Sequence, residues 1–262
     1  MGRFANLEFE GQDERAASIH SAAQEIRDEA YFLRLADQCY RSARFEEALR
    51  HYSRALEFNA NVHAAWVGQV QMLIEMGELQ EAKLWADKAL EVHRDHPELL
   101  SGKAIAWARL GDSLRAVQFS DAAVAQRGTT PYVWLARGEA LLSDLQAADE
   151  HCFEKASSED RHHWFMRLQI ARACFWHREF SRAMAWITKA ARQERAPFVL
   201  HTLGECQLAL GMADDAARSY AEAVFLDPGF APSKAALEGL RNCGMLGGAW
   251  NAVRGALRRV IG

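Results

Sequence analysis

Three of the five prolines, Pro97, Pro131 and Pro197, are separated by 34 and then 66 residues, so a period of 33 to 34 residues runs through the chain. A period of this length means stacked supersecondary units, because each unit buries its apolar surface only against its neighbours. The clearest unit runs from Pro197 to Asp227-Pro228. It places Leu203 and Gly204 at its seventh and eighth positions, Gly211 at the fifteenth, Ala216 at the twentieth, Tyr220 at the twenty-fourth and Ala223 at the twenty-seventh.

Small residues at positions 8, 20 and 27 let two helices of one hairpin approach, while large residues at 4, 11 and 24 fill the space beside them. Glycine at 15 suits the left-handed turn that ends the first helix, and proline at the unit boundary opens the next one. The same template fits five preceding units. These span 29–62 (Ala36, Ala48, Tyr52, Ala55), 63–96 (Trp66, Gly77, Ala82, Ala89), 97–130 (Ala104, Gly111, Ala116, Ala123), 131–163 and 164–196, followed by 197–230. The fourth, with Trp134, Gly138, Phe153 and Ala156, needs a one-residue deletion in its turn. The fifth carries Ala171, Cys174, Ala183 and Ala190.

The unit beginning at Pro197 resembles the tetratricopeptide repeat, W-x2-L-G-x2-Y followed by G, A-x3-F/Y-x2-A and P. It departs from that pattern only where Leu200 replaces the Trp and Gln207 the first Tyr. The resemblance implies an all-α, right-handed solenoid of about six hairpins with capping helices at both ends. Residues 1–28 are expected to supply an N-terminal segment and cap, and 231–262 a C-terminal capping hairpin. Its second helix, over 247–261, has Trp250, Val253, Leu257 and Val260 on one stripe.

Composition agrees with an all-α chain: half of the 262 residues are apolar and a quarter charged, and Ala, Leu, Glu and Arg favour helix. The net charge of −4 gives no reason to expect nucleic acid, which needs a basic face. Charge is polarised, however. Three arginines against seven acids make residues 1–30 −4, while five basic residues against one acid make 231–262 +4. Five scattered cysteines without a Cys-x-x-Cys pair fit a reducing compartment. No signal core or membrane-length apolar run is present, so a cytoplasmic location is expected.

Catalysis has little to stand on in this sequence. The glycines are used by the repeat, Cys174 and Cys206 fall on helix-core positions, and the acid pairs Glu46-Glu47 and Asp214-Asp215 fall where acids favour a helix N-terminus. His93 with His96, and His162-His163 with His177, come nearest to a metal set, but lack partners at zinc spacing. No metal, cofactor or enzymatic activity is expected. Trp66, Trp107 and Trp134 are assigned to the hairpin core, whereas Trp164, Trp176, Trp186 and Trp250 lie off it.

In the tetratricopeptide family, positions 2, 5, 9, 12 and 13 of the first helix point into the concave groove. By that resemblance, position 2 contributes Tyr132, Phe165 and Phe198, position 5 contributes Leu135, Leu168 and His201, and position 12 contributes Tyr40 and Phe175. Such a stripe suits an aromatic-anchored protein segment. The family's carboxylate clamp is absent, with Leu33, Asp37, Gly68, Glu98 and Gly102 at its positions. The expected function is therefore a non-enzymatic scaffold or adaptor that holds a protein partner in this groove. Two alternatives use the basic C-terminal surface of Arg254, Arg258 and Arg259. One is a bacterial kinesin-light-chain-like protein on tubulin-like filaments. The other is peripheral membrane contact through an amphipathic helix.

Overall fold

The computed structural model describes residues 27–145, 148–160 and 163–242. The expected N-terminal cap over 12–28 falls almost entirely outside these residues, and the 247–261 helix with Arg254, Arg258 and Arg259 falls wholly outside them. The described residues form thirteen α-helices: α1 (Glu29–Arg41), α2 (Phe45–Phe58), α3 (His63–Glu75), α4 (Leu79–Val92), α5 (Pro97–Arg109), α6 (Ser113–Ala125), α7 (Pro131–Ser143), α8 (Asp149–Glu159), α9 (His163–Trp176), α10 (Phe180–Ala191), α11 (Pro197–Ala209), α12 (Ala213–Leu226) and α13 (Ala231–Asn242).

The first twelve pair into six antiparallel hairpins, each with an A helix and a B helix, and α13 covers the last. From α3 onward each A helix packs on its own B helix, on the B helix before it and on neighbouring A helices, so the A helices form the inner layer. That sandwiched position explains why α3, α5 and α7 are buried nearly all round while α4 and α6 bury a narrow stripe.

All six A-to-B turns need a left-handed residue at position 15. Glycine supplies it at Gly77, Gly111 and Gly211, whereas Ala43, Leu145 and Arg178 adopt φ of 56 to 63° despite carrying a Cβ. The hairpin contact itself is as tight as the spacing predicts. A Cβ on Gly204 would stand 2.4 Å from the Tyr220 ring, and one on Gly138 2.5 Å from Phe153. Ala48, Ala82, Ala116, Ala183 and Ala216 at position 20 are fully buried, as are Ala55, Ala89, Ala123, Ala190 and Ala223 at position 27. The fourth hairpin is the exception at position 20, where a buried Asp149 pairs with Arg182 of the next unit at 2.7 Å.

Period, turn and packing together make the fold a tetratricopeptide-type solenoid. Its curvature is strong enough to bring the ends of the described superhelix together. Tyr40 of the first hairpin meets Phe165 of the fifth edge-on at 5.0 Å, and Phe45 meets Phe198 of the sixth at 5.7 Å. The A helices therefore pack against one another across the axis as well as along it.

Candidate partner-binding face

Closure changes what the concave face offers. Tyr132, Leu135, Leu168, Phe198 and Tyr40 are buried, while Phe165 and Phe175 keep part of their surface. Phe198 is covered by Phe45 and by the Arg172 guanidinium 5.1 Å from its ring. Phe175 leans on Phe180 of its own hairpin at 5.3 Å. His201 stands 5.4 Å from Tyr220 and 5.7 Å from Phe230, with Nδ1 3.1 Å from the Ser233 hydroxyl, so it serves the junction with α13. Burial and the nearby Arg172 lower its pKa to about 4, which keeps it neutral at pH 7.

At the axis lies a ladder of charges on positions 9 and 13. Arg109 donates to both carboxylate oxygens of Glu139, at 2.7 and 3.3 Å, and His177 Nε2 lies 3.3 Å from the same group. Arg172 donates to Glu75 at 2.9 Å from Nε and 2.8 Å from a terminal nitrogen, and reaches Glu205 at 3.9 Å. The Arg109 and Glu139 side chains are 7% and 1% exposed, so this pair exists only because each member neutralises the other. Burial would push Glu139 up, but Arg109 and His177 outweigh it and hold the carboxyl down to about 2. Burial raises Glu205 instead, with Glu75 adding to the rise and Arg172 opposing it. Gln169 completes the crossing by donating to the Tyr40 hydroxyl at 2.6 Å.

The ladder divides the axis into two cavities. The wider, about 350 Å³, is walled by Tyr40, Tyr52, Tyr132 and Phe165 and bordered by Asp37, Arg41, Glu98 and Asp160. The narrower, about 170 Å³, is lined by Glu75, Arg109, Arg172, Phe175, Trp176, Thr202 and Glu205. Between them is a gap of about 10 Å³, bounded by Tyr40, Tyr132, Glu75, Arg109 and Glu139. A void of that size holds one water at most. A polypeptide cannot run through the axis while the ladder is intact.

The charged ladder was missed by the aromatic reading of the groove, although the signal was available. Position 9 reads Asp37, Gln71, Ile105, Glu139, Arg172, Glu205, and position 13 supplies Glu75 and Arg109. One tryptophan also differs from expectation. Trp186, assigned off the core, is 3% exposed beneath Lys189. Trp66, Trp107 and Trp134, assigned to the core, do pack against it while keeping part of their surface, and Lys83 and Lys155 cover the Trp107 and Trp134 faces at 3.7 Å. His93 and His96 join His63 in a cluster with ring centroids 4.8 to 6.3 Å apart. Burial and mutual proximity lower both His93 and His96, and no group of three or more His, Cys, Asp or Glu among the described residues is placed to hold a metal ion. No described helix is long and apolar enough to cross a membrane.

No family model matches the chain. Among solved structures it is similar to a tetratricopeptide repeat protein from Parabacteroides merdae, at 20% identity over 85% of this chain and 88% of that one, with a TM-score of 0.49. A thermophilic tetratricopeptide repeat protein of Thermus thermophilus is 19% identical over 80% of this chain and 97% of its own, with a TM-score of 0.49. YrrB, described as a tetratricopeptide repeat protein with an unusual peptide-binding site, is 15% identical over 71% of this chain and 97% of its own, with a TM-score of 0.40. These likenesses are of fold alone.

Proposed function

We propose that this chain is a non-catalytic scaffold that binds a segment of a partner protein at the mouth of its closed concave face. The observation that carries this reading is the wider cavity. It joins an incompletely covered aromatic, Phe165, to the Tyr40 and Tyr132 walls, on the side of the ladder where Asp37 and Arg41 are exposed. Half-covered aromatics flanked by polar groups are the usual energetic centres of protein interfaces. The buried groove residues, Leu135, Leu168 and Phe198, shape this mouth by holding the A helices in place rather than by touching the partner. Phe175 plays the corresponding part at the narrower cavity. The four described cysteines are free and buried, which suits a reducing, cytoplasmic setting.

Affinity purification from the native source tests this reading. Wild-type protein and the Phe165→Ala variant are compared, and the co-eluting polypeptides are identified by mass spectrometry. A partner held by the wild type and lost from Phe165→Ala supports the mouth as the working surface. A partner retained by Phe165→Ala and lost on charge reversal of Arg254 and Arg258 would move the function to the basic C-terminal segment. The filament and membrane alternatives would then lead.

A further inference from the structure

Resting on that reading, we infer that the wider cavity is an acceptor for one cationic side chain, a lysine or arginine of the partner segment. Among the described residues its border carries three carboxylates, Asp37, Glu98 and Asp160, against the single Arg41. No ion pair to any of these three acids is formed among the described residues. Asp37 accepts a hydrogen bond from the Tyr52 hydroxyl at 2.7 Å, and Glu98 accepts one from Thr130 at 2.8 Å. Each is thereby oriented by a neutral donor rather than by a cation.

The walls add the second ingredient of a cation site. Tyr40, Tyr52, Tyr132 and Phe165 surround the cavity, and aromatic faces attract ammonium and guanidinium groups. The exposed Arg41 already lays its guanidinium 5.9 Å from the Phe165 ring, so this face accepts that chemistry within the molecule itself. The electrostatic environment agrees. Burial pushes the Tyr132 phenol upward, and Glu139, Glu98 and Glu75 add to the rise against Arg109. At about 350 Å³ the cavity lies near the lower end of the range for ligand sites, roughly 300 to 1,000 Å³. It has room for a side chain and its flanking backbone, and the ladder behind it stops a through-running segment. A carboxylate-bearing partner would meet the wrong charge.

The test uses the full chain and three synthetic pentapeptides, Gly-Gly-X-Gly-Gly with blocked ends, where X is lysine, arginine or norleucine. Binding is followed by NMR shift changes in the aromatic signals. The lysine and arginine peptides are expected to shift Phe165 and Tyr132 and to bind at least tenfold more tightly than the norleucine peptide. Glu98→Gln combined with Asp160→Asn should abolish that preference, while Arg41→Gln, which removes a like charge from the border, should strengthen binding severalfold. A circular dichroism melt of each variant establishes that the fold is kept. The inference is overturned if the norleucine peptide binds as well as the cationic ones, if no peptide binds wild type or Arg41→Gln, or if the double variant keeps the preference. Failure here with partner loss in Phe165→Ala intact would leave the scaffold reading standing and remove only the cationic anchor.

Discussion

The hairpin interiors and the superhelical axis are built on opposite chemistries. Inside each hairpin, glycine and alanine meet aromatic rings, as where Gly204 faces Tyr220. Along the axis, Arg109 and Glu139 meet as a buried ion pair, and Arg172 and Glu75 as a part-buried one. Apolar close packing is non-directional and tolerates the small rotation between successive units. A charge ladder is costly unless every member finds its partner, so it favours one curvature among many. The hairpins supply stability, and the ladder fixes how far the stack curls.

Breaking the ladder from one side should cost most. Arg109→Ala leaves the buried Glu139 without its guanidinium and with only His177 beside it, and the expected loss is about 3 to 5 kcal/mol in chemical denaturation. Replacing both members, as Arg109→Met with Glu139→Leu, should recover most of that loss while relaxing the curvature, which small-angle scattering would show as a larger radius of gyration. Within the hairpins, Ala216→Leu overpacks a fully buried site and should cost roughly 1 to 3 kcal/mol. An unchanged melting curve would mean that position 20 is not the close contact described.

Titration separates the two regions without mutation at the axis. Glu139 has its pKa depressed to about 2, so the stability it contributes is present above the ordinary carboxylate range and is lost as pH falls from about 4.5 towards 2. His201, lowered to about 4, stays neutral while the unfolded chain takes up a proton, so stability falls between about pH 6.5 and 4. Glu205, with its raised pKa, acts in the opposite sense, because its burial cost is relieved as it protonates. Urea midpoints measured from pH 8 to 3 should therefore decline in two stages, and His201→Asn should remove much of the first.

The smallest effect belongs to the turns. Ala43 and Arg178 hold φ of 56 and 63° where three other hairpins use glycine. A left-handed residue costs an L-amino acid roughly 1 to 2 kcal/mol, and glycine's extra freedom in the unfolded chain offsets about 0.4 to 1 kcal/mol. Ala43→Gly and Arg178→Gly should each raise stability by about 0.5 to 1 kcal/mol. Gly211→Ala should do the reverse.

The hairpin register was legible because its determinants lie within one period. Pro97, Pro131 and Pro197 mark A-helix starts, and Ala36, Gly138 and Gly204 each recur sixteen residues before an aromatic or its deletion-shifted equivalent. The axis was not legible, since closure sums small rotations over several units and no single residue encodes the total. Tyr132 and Phe198 looked like groove residues because an open groove was assumed; curling buries them. The position 9 series Glu139, Arg172, Glu205 was visible, but its meaning depends on Glu75 and Arg109 arriving from other hairpins. Trp186 was misplaced for a related reason. Its burial depends on how the fifth hairpin sits against its neighbours.

The most direct test of closure is a double-mutant cycle between Glu75→Gln and Arg172→Gln, residues of the second and fifth hairpins joined at 2.8 Å. Ninety-seven positions apart in sequence, they share an ion pair only if the superhelix curls back on itself. Closure predicts a coupling energy of about 1 to 3 kcal/mol, whereas additivity within about 0.5 kcal/mol would show the two side chains apart and the concave face open.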